Sequence, residues 1–137
     1  MSELSIREME QDEDFAEWFD ELLSRDNEEH TFGEHYLVLT SEIGDWIGGL
    51  RYQLRGGVAS LIQLAIAPEH REHGHAIKLL DAFDERAKSA GAHLLEFSTD
   101  DARAERRMVS RGWTVVGRRP DYVGHRDWAL LERRLRP

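Results

Sequence analysis

Apolar residues along this chain recur first at strand spacing, then at helix spacing, and the alternation between the two predicts its elements. Leu4, Ile6 and Met9 stand among polar residues and predict a first strand. Asp12 is placed to cap a helix whose apolar stripe is Phe15, Trp18, Phe19, Leu22 and Leu23, read as core-facing. Residues 26–33 are polar and irregular. Residues 36–40 predict a strand, 43–45 a turn, and 46–54 the returning strand of a hairpin; Arg55, Gly56 and Gly57 make the next turn. Val58 leads into an apolar run over 61–67, broken by Gln63 and ended by Pro68, which cannot donate to a sheet ladder.

After Gly74 the period changes. Ala76, Ile77, Leu79, Leu80, Phe83 and Ala87 share one face of a helix, closed by Ala90 and Gly91. Then come a strand over 93–98, a short helix over 101–111 ended by Gly112, a strand over 113–117, a loop over 118–125 and a last strand over 126–135. Trp46, Trp113 and Trp128 read as strand core residues. The order is β-α-β-β-β-α-β-α-β-β, an α/β fold with a mixed, mostly antiparallel sheet of six to seven strands and helices on both faces. At 137 residues the chain suits one core, so residues 1–137 read as a single domain.

Composition narrows the chemistry. There is no cysteine, which excludes disulfides, thiolate metal sites and a cysteine nucleophile. The acidic N-terminus carries no apolar run, so neither a signal peptide nor a membrane span is expected, and a cytoplasmic protein is the default. The net charge of −9 argues against general nucleic-acid binding and favours a cationic partner. His70, His73 and His75 lack a metal-binding helical spacing and straddle a loop and a helix start, so no metal is expected there. What that loop does offer is several backbone N–H groups at a helix N-terminus, where partial positive charge suits a phosphate. Gly74 and Ala76 are small where a pyrophosphate would need close approach.

The loop reads Arg71-Glu72-His73-Gly74-His75-Ala76 after Ala65-Ile66-Ala67-Pro68. A second segment reads Asp101-Ala102-Arg103-Ala104, then Met108, then Gly112-Trp113. Together, in this element order, they resemble the GNAT superfamily of acetyl-CoA-dependent N-acetyltransferases. Its signatures are Gln/Arg-x-x-Gly-x-Gly/Ala after a strand, and Asn-x-x-Ala, a tyrosine and Gly-Phe further on. The resemblance implies that the backbone of Leu64, Ala65 and Ile66 receives the pantetheine arm of acetyl-CoA. It implies that the amides of Arg71, Glu72, His73, Gly74, His75 and Ala76 hold the pyrophosphate, and that Asp101 stands at the cofactor-contacting Asn position. It implies acetyl transfer to a primary amine by direct attack in a ternary complex. The acceptor would be a small cationic amine or a protein amino group.

For catalysis, Glu96 is a lone charge in the apolar run Leu94-Leu95-Glu96-Phe97 and is the candidate general base. It resembles the glutamate of relatives that acetylate ribosomal-protein N-termini. The family's acid position is Met108, which carries no proton. Either Tyr122, in the loop before the last strand, substitutes, or the thiolate leaves directly. The places where some relatives carry a base in the preceding strand are Ser60 and Ile62, neither of which is one. The substitutions at Met108 and Asp101 motivate the alternative reading, an acyl-CoA-binding sensor or interaction module without catalysis. The resemblance makes a homodimer through C-terminal strands or sheet edges an option that the sequence leaves open.

Overall fold

A computed structural model describes residues 4–26 and 33–135. The chain divides into two compact units, one ending at residue 31 and the other beginning at residue 32. In the first, helix α1 (Glu13–Asp26) starts where expected: the Asp12 carboxylate accepts from the Phe15 amide at 3.1 Å. Phe15 packs its ring against Trp18 and Phe19, with centroids 5.8 and 5.7 Å apart. The strand expected over Leu4, Ile6 and Met9 does not form; residues 4–10 carry no regular structure. Three apolar positions spread over six residues, with Glu8 and Glu10 alongside, give a strand little to bury, and no ladder partner is present among the described residues. The irregular stretch expected over 26–33 lies, from 27 to 32, outside the described residues.

The second unit holds a six-stranded sheet in the order β1-β2-β3-β4-β6-β5. Its strands are β1 (Gly33–Thr40), β2 (Trp46–Arg55), β3 (Val58–Ile66), β4 (Leu94–Thr99), β5 (Thr114–Arg119) and β6 (Trp128–Arg134). Helix α2 (His75–Ser89) crosses from β3 to β4, and α3 (Ala102–Ser110) joins β4 to β5. Only β3 and β4 run parallel, as a strand–helix–strand crossover requires; the other neighbours are antiparallel. The mixed, mostly antiparallel α/β class therefore agrees with the sequence reading, and the sheet has six strands rather than seven.

One core underlies this sheet. Leu79, Leu80, Phe83 and Ala87 of α2 meet Ala59 and Leu61 of β3, Leu95 of β4, Met108 of α3, Trp113, and Leu131 of β6. Phe83, Leu95 and Leu131 are the largest side chains fully removed from water. The helix ends as expected, with Gly91 at φ 80° and the Ala92 amide returning to the Ala87 carbonyl at 2.9 Å. Two expectations change. Ile77 lies off the buried stripe and is 50% exposed, because Leu79, Leu80 and Phe83 set the inward face. Trp46 is 81% exposed, since it opens β2, where Ile47 rather than Trp46 points inward.

Candidate active site

Pairing between β3 and β4 begins at Val58 opposite Leu94 and stops at Leu61 opposite Phe97, although β3 runs on to Ile66. The cause is local. Against β2, Gln63 faces Arg51 but Leu61 faces Tyr52, so Ile62 is an extra residue that bends β3. Beyond it the two parallel strands fork. The Ala67 amide donates to the Ile47 carbonyl at 2.9 Å, which fixes the alternation of the antiparallel ladder. Ala65 then turns its backbone groups toward β2, while Leu64 and Ile66 turn theirs into the fork. Of the three residues expected to offer backbone to a ligand there, two are oriented for it and Ala65 is not.

A cavity of about 490 Å³ fills the fork, walled by Leu64 and Gln63 on one side and by Ser98, Asp100, Asp101, Arg107 and Met108 on the other. Asp101 caps α3, accepting from the Arg103 amide at 2.9 Å, so one carboxylate oxygen is committed to the helix. Met108 is buried in the core and presents no proton to the cavity.

The loop beyond β3 leads into α2. Arg71 folds its guanidinium back, and its Nε donates to the Ile66 carbonyl at 3.2 Å at the fork's open end. Its amide is bonded to the Pro68 carbonyl at 3.4 Å, so the side chain rather than the amide is what Arg71 offers. Glu72 and Gly74 both hold left-handed backbone, at φ 66° and 75°, and such turns gather successive N–H groups into an anion-binding concavity. The first-turn amides of His75 and Ala76 have no helical acceptor. A Cβ added at Gly74 would meet nothing within 4 Å, so the space above it is open to a ligand. His70 and His73 place their rings 6.4 and 6.0 Å from that of His75. Partial burial first, then Lys78, His73 and His70, hold the His75 imidazole below its ordinary pKa. Among the described residues no cluster of three or more His, Asp or Glu side chains is placed to hold a metal.

A second cavity, about 520 Å³, opens beside the first. Leu61, Ile62, Phe97, Ser98 and Trp128 line both, so the two meet where β3 and β4 part. Glu96 and Tyr122, the two catalytic candidates, both line this second cavity. Glu96 reaches it because Leu95 points into the core and the strand alternates. Its Oε1 accepts a hydrogen bond from the Ser60 hydroxyl at 2.5 Å. Glu132 stands directly opposite Glu96 on β6 and lines the same cavity, which has no Lys, Arg or His among its described lining residues. Tyr122 is held by the β5–β6 loop: its amide donates to the Arg126 carbonyl at 2.8 Å, and the Arg119 guanidinium lies 4.7 Å from its ring centre. Trp128 braces the same loop, donating from Nε1 to the Val123 carbonyl at 3.0 Å. Arg126 pairs with Asp100 at 3.0 Å, tying this loop to the wall of the fork.

Ser60, Glu132 and Trp128 are the site residues that sequence reasoning missed as such. Ser60 was visible only as a place where no base stands, and Glu132 was not singled out from sequence at all. No local pattern announces either, because both join the site through strand pairing.

Comparison with known proteins bears on the whole of this arrangement. No curated protein matches the chain. Among solved structures, a protein from Agrobacterium tumefaciens assigned as an acetyltransferase superposes with a TM-score of 0.77 at 20% identity, covering 98% of this chain and 100% of that one. An acetyltransferase from Bacillus cereus gives 0.72 at 18% identity, covering 95% and 98%. The ribosomal-protein-S18-alanine N-acetyltransferase of Escherichia coli gives 0.70 at 19% identity, covering 76% and 70%. At these identities the likeness is one of fold. Family membership rests on a separate match: the model of the acetyltransferase (GNAT) family covers residues 3–113, which takes in the forked strands, the histidine-bearing loop and α3. The chain belongs to the GNAT family of acetyltransferases, enzymes of acyl transfer from acetyl-CoA.

Proposed function

We propose that this chain moves an acetyl group from acetyl-CoA to a primary amine, by direct attack with both substrates bound. The observation that carries the reading is the meeting of two cavities at the fork, with Glu96 and Tyr122 on the side away from α3. The fork suits an acyl-CoA arm: Leu64 and Ile66 turn backbone groups into it, the Arg71 side chain reaches its open end, and left-handed turns at Glu72 and Gly74 lead from there into α2. When bound there, acetyl-CoA supplies the thioester carbonyl.

Glu96 accepts a proton from the incoming ammonium, breaking its N–H bond and forming a carboxyl O–H, so that a neutral amine attacks. As the C–N bond forms and the C–S bond breaks, Tyr122 gives the departing thiolate a proton, a role that Met108 cannot fill, and its phenolate takes back the proton that the attacking nitrogen sheds. The acceptor is a cationic amine, because its cavity carries two carboxylates, Glu96 and Glu132, and no basic side chain among its described lining residues. A sensor or interaction module that binds acyl-CoA without turnover is the second reading, favoured by the buried Met108 at the usual acid position.

Thiol release from acetyl-CoA, measured with putrescine, kanamycin and a peptide bearing a free N-terminal alanine, tests the proposal alongside calorimetric titration of acetyl-CoA. Binding with thiol release on at least one amine is the expected result. Tight binding with no release on any of them leaves the sensor; absence of binding removes both readings.

A further inference from the structure

Ser60 carries no chemistry of its own that the transfer needs, yet its hydroxyl donates a hydrogen bond to the Glu96 carboxylate. The two residues are direct partners in the parallel pairing of β3 and β4, one step before the fork. Their neighbours Ala59 and Leu95 are fully buried in the core, so alternation sends both Ser60 and Glu96 to the opposite face, where the second cavity lies. On its other side Glu96 faces Glu132, its direct partner on β6. Like charges opposite one another across a ladder repel. Repulsion alone does not choose among the staggered rotamers that keep the Glu96 carboxylate clear of Glu132.

We infer that Ser60 is a positioning residue for Glu96: its hydroxyl draws one carboxylate oxygen toward β3 and the fork, and leaves the other oxygen open to the acceptor amine. The inference rests on the reading of Glu96 as general base. The short side chain suits this task. A serine hydroxyl donates one hydrogen bond and fixes one carboxylate oxygen, and it adds no charge that would repel a cationic amine.

The test compares Ser60→Ala, Ser60→Thr, Glu96→Gln and the Ser60→Ala/Glu96→Gln double variant, using whichever of putrescine, kanamycin and the alanine peptide turns over fastest. Ser60→Ala is expected to lower kcat by about 10- to 100-fold, the scale of a misplaced reacting group, with KM for acetyl-CoA unchanged. Ser60→Thr restores most of the rate, and Ser60→Ala adds no further loss to Glu96→Gln. Independently of turnover, the carboxyl carbon resonance of Glu96 at fixed pH moves in Ser60→Ala. A Ser60→Ala enzyme with wild-type kcat and Glu96 resonance overturns the inference while leaving the base reading in place. So does a loss of equal size in both backgrounds, or one that threonine does not restore. A fully active Glu96→Gln removes the base reading itself.

Discussion

Between β3 and α3 the chain offers a ligand mostly backbone; across the fork, between β4, β6 and the β5–β6 loop, it offers side chains. The first cavity depends on where pairing stops, on the alternation that turns Leu64 and Ile66 outward, and on left-handed turns at Glu72 and Gly74. Few of those features name a side chain, so departures such as Asp101 for the usual asparagine leave the arrangement standing. The second cavity depends on Glu96, Ser60, Glu132 and Tyr122. There a single substitution changes the chemistry. The contrast says which side of the fork tolerates substitution: hydrogen bonds from the main chain survive a change of side chain, and those of a carboxylate do not.

Glu96→Gln breaks the contrast most sharply. Turnover falls by about 10²–10⁴-fold, the usual worth of a positioned base, while calorimetry finds acetyl-CoA affinity unchanged. A matching fall in affinity would mean that the two cavities do not divide the labour in this way. Tyr122→Phe comes next, with kcat down about 10²-fold at the low end of the same range, because a thiolate is a better leaving group than most. An unaltered kcat would show that the thiolate departs without help. On the other side, Arg71→Ala weakens acetyl-CoA binding by roughly tenfold, the loss of one hydrogen bond from a charged group, and leaves kcat at saturation alone.

Asp101 separates structure from binding. Asp101→Ala removes the α3 cap and costs about 1 kcal/mol, seen as a lower Tm, whereas Asp101→Asn keeps it. If the asparagine variant instead changes acetyl-CoA affinity at constant Tm, the side chain touches the ligand. The smallest effect belongs to His75. Its imidazole is held below the ordinary value of 6.5, so the unfolded chain takes up the proton more readily than the folded one. The resulting contribution to stability is full above 6.5 and is lost as pH falls below it. Melting curves of His75→Gln should therefore decline less steeply toward acid than those of the parent; equal slopes would detach His75 from the acid response.

Much of the scaffold was legible because its signals are local. The α2 stripe, Gly91 past its end, Asp12 as a cap, and the close of β3 near Pro68 all follow from residues within a few positions of one another. The errors have one origin too. Leu4, Ile6 and Met9 alternate like a strand, but alternation does not supply a ladder partner. Trp46 is apolar enough for a core and simply faces the other way. Ala65 was grouped with Leu64 and Ile66, although a ladder sends alternate backbone groups to opposite sides. Glu96 and Tyr122 were named from sequence, whereas Ser60 became visible only through the register of two strands separated by a whole helix. Side-chain meeting across a crossover leaves no mark on either segment.

The fork has a consequence for the lifetime of the protein. A sheet that parts in the middle leaves backbone groups of Leu64 turned into the fork rather than toward a neighbouring strand, and a ligand that takes the strand's place would bind the folded chain but not the unfolded one. By mass action, a ligand at a hundredfold its dissociation constant adds about 2.7 kcal/mol to folding. If acetyl-CoA takes that place, resistance to proteolysis rises with its concentration, and limited digestion with and without it reads the effect.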